Sequence, residues 1–182
     1  MKIKAVLILI LLAIPASVML RSNSPIPKGA AAVKPFDKTK YLGQWYEIAR
    51  MDFRFERNLK NVTANYSLNK DGSIKVVNRG FDYVSNKWKQ ATGKAKLAGM
   101  PDEARLKVSF FGPFYAEYNV IALDREYKYA LVAGKNLKYL WILCREITLP
   151  EEIKREYLKI AGDLGYNTAA LIWTGHNGQQ GS

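Results

Sequence analysis

Polar and apolar side chains alternate through most of the chain, in short runs broken by turn residues. The first run, Tyr41–Arg50, puts Gly43, Trp45, Glu47 and Ala49 on one face and Leu42, Gln44, Tyr46 and Ile48 on the other. Val62–Leu68 alternates next, and Lys70-Asp-Gly-Ser73 is a hairpin turn leading into Ile74–Phe81. After a polar turn at 85–87, the run Trp88–Ala98 carries small residues, Ala91, Gly93 and Ala95, at alternate positions. Gly99-Met-Pro-Asp102 breaks that run, and Arg105–Phe111 resumes the period until Gly112-Pro113 stops it. Glu117–Leu123, Tyr127–Ala133 and Lys138–Arg145 complete the set. Eight strands with short connections predict an all-β chain, an antiparallel up-and-down meander whose edges vanish on closure into a barrel.

Only the segment 150–164 has helical period, with Ile153, Tyr157, Ile160, Ala161 and Leu164 on one face. Acids fill its first turn and Gly165 follows its end. This predicts one C-terminal α-helix outside the barrel, against Leu140, Ile142 and Cys144. Cys144 then acts as a small buried hydrophobe. Ala170–Trp173 is a candidate edge strand, and 176–182 is expected to be a disordered tail.

The N-terminus has a different pattern. Lys2 and Lys4 precede ten apolar residues, Ala5–Ile14, and the run extends to Leu20. Residues 1–20 are expected to be a signal peptide or an N-terminal membrane anchor, and 21–35 a flexible tether. Either reading sends the chain into the cell envelope, as a periplasmic or outer-membrane protein.

Composition narrows the chemistry. The chain of 182 residues has a formal charge of +12, and Lys2, Lys4, Arg21 and Lys28 supply only four of these charges, so the domain itself is basic. One cysteine excludes an intrachain disulfide, and the one histidine, His176, lies near the C-terminus. A histidine triad or multi-histidine metal centre therefore has no residues inside the domain. No Gly-rich phosphate loop is present, and a haem would find only tyrosines as axial ligands. Nothing here supports an enzyme or calls for a cofactor, and no metal site is expected.

Three spaced signatures remain: Gly43-x-Trp45 in the first strand, Asp124-x-x-Tyr127 in a late turn, and Arg145 closing the last barrel strand. Together, from about Phe36 to Trp173, they resemble the signature regions of the lipocalins. Gly43-Gln-Trp-Tyr-Glu-Ile-Ala-Arg50, Phe110-Phe-Gly-Pro-Phe114 and Ala122-Leu-Asp-Arg-Glu-Tyr127 are most similar to the bacterial outer-membrane lipocalins. The resemblance implies a lipocalin barrel over 36–175, with Gly43, Trp45, Asp124 and Arg145 as structural signature residues and Arg145 against Trp45 at the closed end. It also implies lipid storage or transport at the envelope, a preference for lysophospholipid, and pairing into homodimers. One feature departs from the family: no cysteine stands directly after the apolar N-terminal run, which puts lipid anchoring in doubt.

With Trp45 at the closed end, parity turns Glu47, Tyr66, Asn78, Phe110, Tyr118, Val120, Tyr139 and Trp141 inward. Small residues beside a few large aromatics suggest an incompletely filled interior suited to a lysophospholipid or a fatty acid. The connections at the open end carry Phe53, Arg54, Phe55, Arg57, Phe111, Phe114 and Tyr115, beside Lys60, Lys87, Lys135 and Lys138. Aromatics among cations suit a membrane surface or a second subunit, and nucleic acid is not expected as a partner. The alternative is a filled barrel, a non-enzymatic interaction protein that uses this basic, aromatic rim on anionic envelope components.

Overall fold

Strand β1 (Gly43–Arg50) is hydrogen-bonded along both edges, and this closes the sheet. The computed structural model describes residues 24–176, so the 1–20 segment and the tail from 177 onward lie outside the described residues. The sheet continues through β2 (Leu59–Leu68), β3 (Ile74–Asp82), β4 (Lys87–Leu97), β5 (Arg105–Phe111), β6 (Phe114–Leu123), β7 (Tyr129–Ala133) and β8 (Leu140–Cys144). Each strand pairs antiparallel with the next, and β1 joins β8 to β2. The result is an eight-stranded up-and-down barrel. A short ninth strand, β9 (Ile172–Trp173), adds to the end of β1.

Two apolar clusters follow from strand parity. Trp45, Tyr66, Val76, Ala95, Leu106, Val108, Val120 and Leu143 pack inside the barrel. Leu140, Ile142 and Cys144 face outward beneath helix α2 (Glu151–Asp163), which buries Tyr157 and Ala161 against them. Glu151 and Glu152 occupy its first turn, and Gly165 at φ +93 turns the chain after its end. The Cys144 thiol is buried there, donates to the Thr148 carbonyl at 3.4 Å, and is pushed up in pKa by burial.

Three expectations need correction. The first strand begins at Gly43. Lys38–Tyr41 form a helical turn, α1, capped by the Asp37 carboxylate on the Thr39 N–H at 2.8 Å, and Gly43 leaves it at φ +93. The expected tether is docked from Ser24 onward. The Asn119 amide donates to the Pro25 carbonyl at 3.0 Å, and Val33 bonds to Val120 and Ala104 at 2.9 and 3.0 Å. His176 is also seated, with Nε2 at 2.7 Å from the Glu47 carbonyl and its ring edge-on to Tyr46.

The closed end is held by one side chain. The Arg145 guanidinium lies 3.9 Å over the Trp45 ring and donates to four carbonyls: Gln44, Lys40, Leu42 and Tyr127, at 2.7, 2.9, 2.8 and 3.1 Å. Gly43 leaves room for it, since a Cβ there would meet Arg145 Nη1 at 3.2 Å. Asp124 fixes the β6–β7 turn by accepting from the N–H groups of Glu126, Lys128 and Tyr129. Replacing Arg145 by Ala should cost about 3 kcal/mol, from the lost cation–π contact and charge-assisted bonds. In thermal melts this should lower Tm by roughly 10 °C, and Arg145→Lys should recover only part of the loss, because an ammonium cannot span four acceptors in a plane.

Candidate functional site

The floor of the barrel is polar at its centre. The Tyr118 hydroxyl lies 2.7 Å from that of Tyr41 and 2.9 Å from that of Tyr66. Three hydroxyls carry three protons and two bonds use two, so the chain has one donor to spare. Burial pushes all three phenols up, Tyr66 to about 12, so they stay protonated at neutral pH. Tyr41 reaches this cluster from α1, which is why strand parity did not place it there.

Above the floor the wall opens. Tyr66, Val76, Ala95 and Val120 are packed out of reach of solvent. Ala64, Asn78, Gly93, Phe110, Tyr118 and Trp141 also face inward but are only half-buried, and Ala91 is exposed. The Phe110 ring lies across Gly93, where a Cβ would sit 2.8 Å from it and 2.6 Å from the Ser109 carbonyl. A glycine at this place lets the ring lie flat on the wall. Asn78 Oδ1 is buried with no partner, a polar atom left open on the inner face.

Near the mouth a cluster appears that alternation alone could not locate. In the β1–β8 ladder the register slips between Glu47 and Ala49, because Ile48 is an extra residue in β1. Parity reverses there. Ala49 points outward into the cluster under α2, and Arg50 points inward opposite Trp141. Arg50 is 1% exposed, and it donates to the Glu47 carboxyl at 2.6 Å and to the Glu56 and Leu59 carbonyls at 2.6 and 3.3 Å. The Glu56 carboxylate accepts from Trp141 Nε1 at 2.9 Å. Phe53 packs edge-on to Tyr139 at 5.3 Å, and Tyr139 stacks on Trp141. Arg50 thus ties the β1–β2 connection to the barrel wall, and Glu47, expected among the ligand-binding residues, is bonded to Arg50.

One guanidinium faces two carboxyls here, and burial lets one carboxyl keep its proton. Glu47 is pushed up to about 8, first by burial and then by the charge of Glu56, against the pull of Arg50. Glu56 is raised by burial. The two carboxyls titrate as a pair, with Arg50 held to Glu47 at 2.6 Å and burial favouring a proton shared between the acids.

The rim lies outside this cluster. Phe55, Phe111 and Phe114 are 64, 73 and 77% exposed, and Tyr115 is also exposed. Arg54 lies 4.8 Å over the Phe55 ring, Lys96 lies 6.0 Å over Tyr115, and Arg57 pairs with Asp52 at 2.7 Å. Tyr83, Val84, Trp88 and Leu137 add exposed apolar surface at the same end. Phe53, expected on the rim, turns inward onto Tyr139 because Arg50 draws its connection against the wall.

Known proteins share this architecture and sequence. Residues 36–176 match the lipocalin-like domain. The chain belongs to the lipocalin family. Outer membrane lipoprotein Blc of Escherichia coli (strain K12) is 50% identical over 166 residues, covering 91% of this chain and 94% of the relative. The protein of the same name from Vibrio cholerae is 44% identical over 158 residues, covering 86% of this chain and 92% of its own length. This lipocalin is therefore of the Blc type. Among solved structures, insecticyanin from the tobacco hornworm Manduca sexta superposes with a TM-score of 0.66 at 20% identity, over 82% of this chain and 85% of that one.

The buried acid pair should give this lipocalin a pH-dependent stability. Folded Glu47 holds a proton that the unfolded chain releases near its ordinary pKa of 4.5. The folded state binds more protons between pH 4.5 and 8, so stability should fall as pH rises through that window and level off above it. Urea midpoints measured from pH 5 to 9 should show the decline, and Glu47→Gln should flatten it. An unchanged slope in the variant would place the titration elsewhere.

Proposed function

We infer that this protein carries a single-tailed amphiphile, a lysophospholipid or a fatty acid, inside the barrel. The observation behind this reading is the half-buried inner wall: Ala64, Asn78, Gly93, Phe110, Tyr118 and Trp141 face into a closed barrel yet keep accessible surface. Side chains of a filled core would not. An acyl chain would lie on Ala91, Gly93, Val108 and Phe110. Its polar end would meet Asn78 Oδ1 and the spare tyrosine proton on one side, or the Arg50 and Trp141 groups nearer the mouth. Lipocalins bind and transport small hydrophobic molecules and are not, in general, enzymes. A more distant relative, rat apolipoprotein D, is 40% identical over 127 residues, or 64% of this chain and 65% of its own.

The setting we propose is the cell envelope. The apolar N-terminal run reads as an export segment, and the bacterial relatives are named outer membrane lipoproteins. This chain has no cysteine directly after that run, so a retained apolar anchor would replace a lipid anchor. The rim would then face an anionic bilayer, with Phe55, Phe111 and Phe114 entering the headgroup layer among Arg54, Lys135 and Lys138. Covering the same rim with a second copy would make a homodimer, which light scattering distinguishes from membrane contact.

Native mass spectrometry of protein purified from bacteria without detergent should show a bound lipid that exchanges with added lysophospholipid. Trp141→Ala should weaken that binding at least fivefold. Phe111→Ser with Phe114→Ser should abolish sedimentation with anionic vesicles while leaving affinity for soluble lysolipid unchanged. A clean unliganded mass and no binding across a lipid panel would favour the filled-barrel reading, with the basic rim acting on anionic envelope components.

A further inference from the structure

The closed end, away from the mouth, carries a cleft of about 510 Å3 between the segment 33–40 and the β6–β7 turn. Val33, Phe36, Leu123 and Tyr127 supply its apolar walls, with the Phe36 and Tyr127 rings stacked at 6.2 Å. Tyr127 is rigidly placed. It is held at φ +59, its hydroxyl accepts the Asp37 N–H at 2.8 Å, and its carbonyl accepts from Arg145. The wall of the cleft is therefore fixed by the same arginine that holds the floor of the barrel.

Five charged residues line the cleft: Lys34, Lys40, Arg125, Asp37 and Asp124. The two acids are already engaged. Asp37 accepts from the Thr39 N–H and hydroxyl, and Asp124 from three backbone N–H groups. The cations are held more loosely. Lys34 forms two long ion pairs, 4.0 Å to Asp102 and 3.9 Å to Glu103. The Lys40 ammonium lies 5.8 Å over the Tyr127 ring, and among the described residues neither Lys40 nor Arg125 has an ion pair. Loosely held cations beside a rigid aromatic wall, with Asp37 and Asp124 already engaged by neighbouring N–H and hydroxyl groups, form an anion site with an apolar side. Several separate cations suit the multiple oxygens and double charge of a phosphate monoester better than a single carboxylate.

We propose that this cleft is a second binding site, taking a phosphate ester with a short apolar stem. Its phosphate would rest on Lys40 and Arg125, with Lys34 at the edge, and its stem on Phe36, Leu123 and Tyr127. A volume of about 510 Å3 accommodates such a group. A lipid headgroup and a soluble ester share this chemistry. The site is independent of what the barrel carries.

The test is an amide chemical-shift titration of the full, isotope-labelled chain with hexyl phosphate, with inorganic phosphate and hexanol as separate probes. Hexyl phosphate should produce saturable shifts at Val33, Lys40, Leu123 and Tyr127. Lys40→Ala with Arg125→Ala, both exposed side chains whose loss should leave Tm unchanged, should weaken binding at least tenfold. Trp141→Ala should leave it unchanged, which separates this site from the barrel. Inorganic phosphate and hexanol should each bind at least tenfold more weakly than the ester. Competition by phosphatidic acid vesicles would identify the source as a lipid headgroup, and its absence a soluble ester. Shifts confined to the barrel interior, shifts that do not saturate, or binding unaltered in the double variant would overturn the proposal.

Discussion

Closure of the barrel depends on what Arg145 does at its closed end. Four carbonyls from α1, the start of β1 and the β6–β7 turn converge on one guanidinium, and Trp45 lies beneath it. Each of those carbonyls sits where the chain leaves regular pairing and would otherwise lack a donor. One planar cation with several N–H groups satisfies them together and fixes β1 at the angle needed to pair with both β8 and β2.

The mouth is organised by a second arginine and a different device. Ile48 is one residue too many for the β1–β8 ladder, and the bulge that absorbs it turns Arg50 into the barrel. A buried guanidinium with two carboxyls is costly to desolvate, and such clusters are weak sources of stability. What the cluster provides is position. Arg50 draws in the carbonyls of Glu56 and Leu59, Glu56 anchors Trp141, and Phe53 comes to rest on Tyr139. The width of the barrel entrance is thereby set by polar bonds between side chains on its own wall.

Much of this was legible in the sequence, because period-two alternation is a direct consequence of a sheet with one buried face. The β5 run, Arg105–Phe111, matches the observed strand end to end, and the helix differs by one residue at each end. The Trp45 and Arg145 pairing could be expected only through family resemblance, since no local pattern links positions a hundred residues apart. Arg50 was hidden for a physical reason: a single-residue bulge leaves no trace in composition and reverses every facing after it. Glu56 lies in a connection where alternation says nothing, and Tyr41 lies in a helical turn that hydrophobicity alone made look like strand. The segment from Ser24 to Val33 looks like a linker by its Pro, Gly and Ala content, yet it is held through backbone groups that any residue possesses.

The most direct test of the open-barrel account is a crystal structure with a lysophospholipid whose acyl chain carries bromine, located by anomalous scattering. The account predicts one bromine peak inside the barrel, beside Ala91, Gly93 and Phe110. A bromine found only outside the rim, or an interior without a peak at saturating ligand, would contradict it.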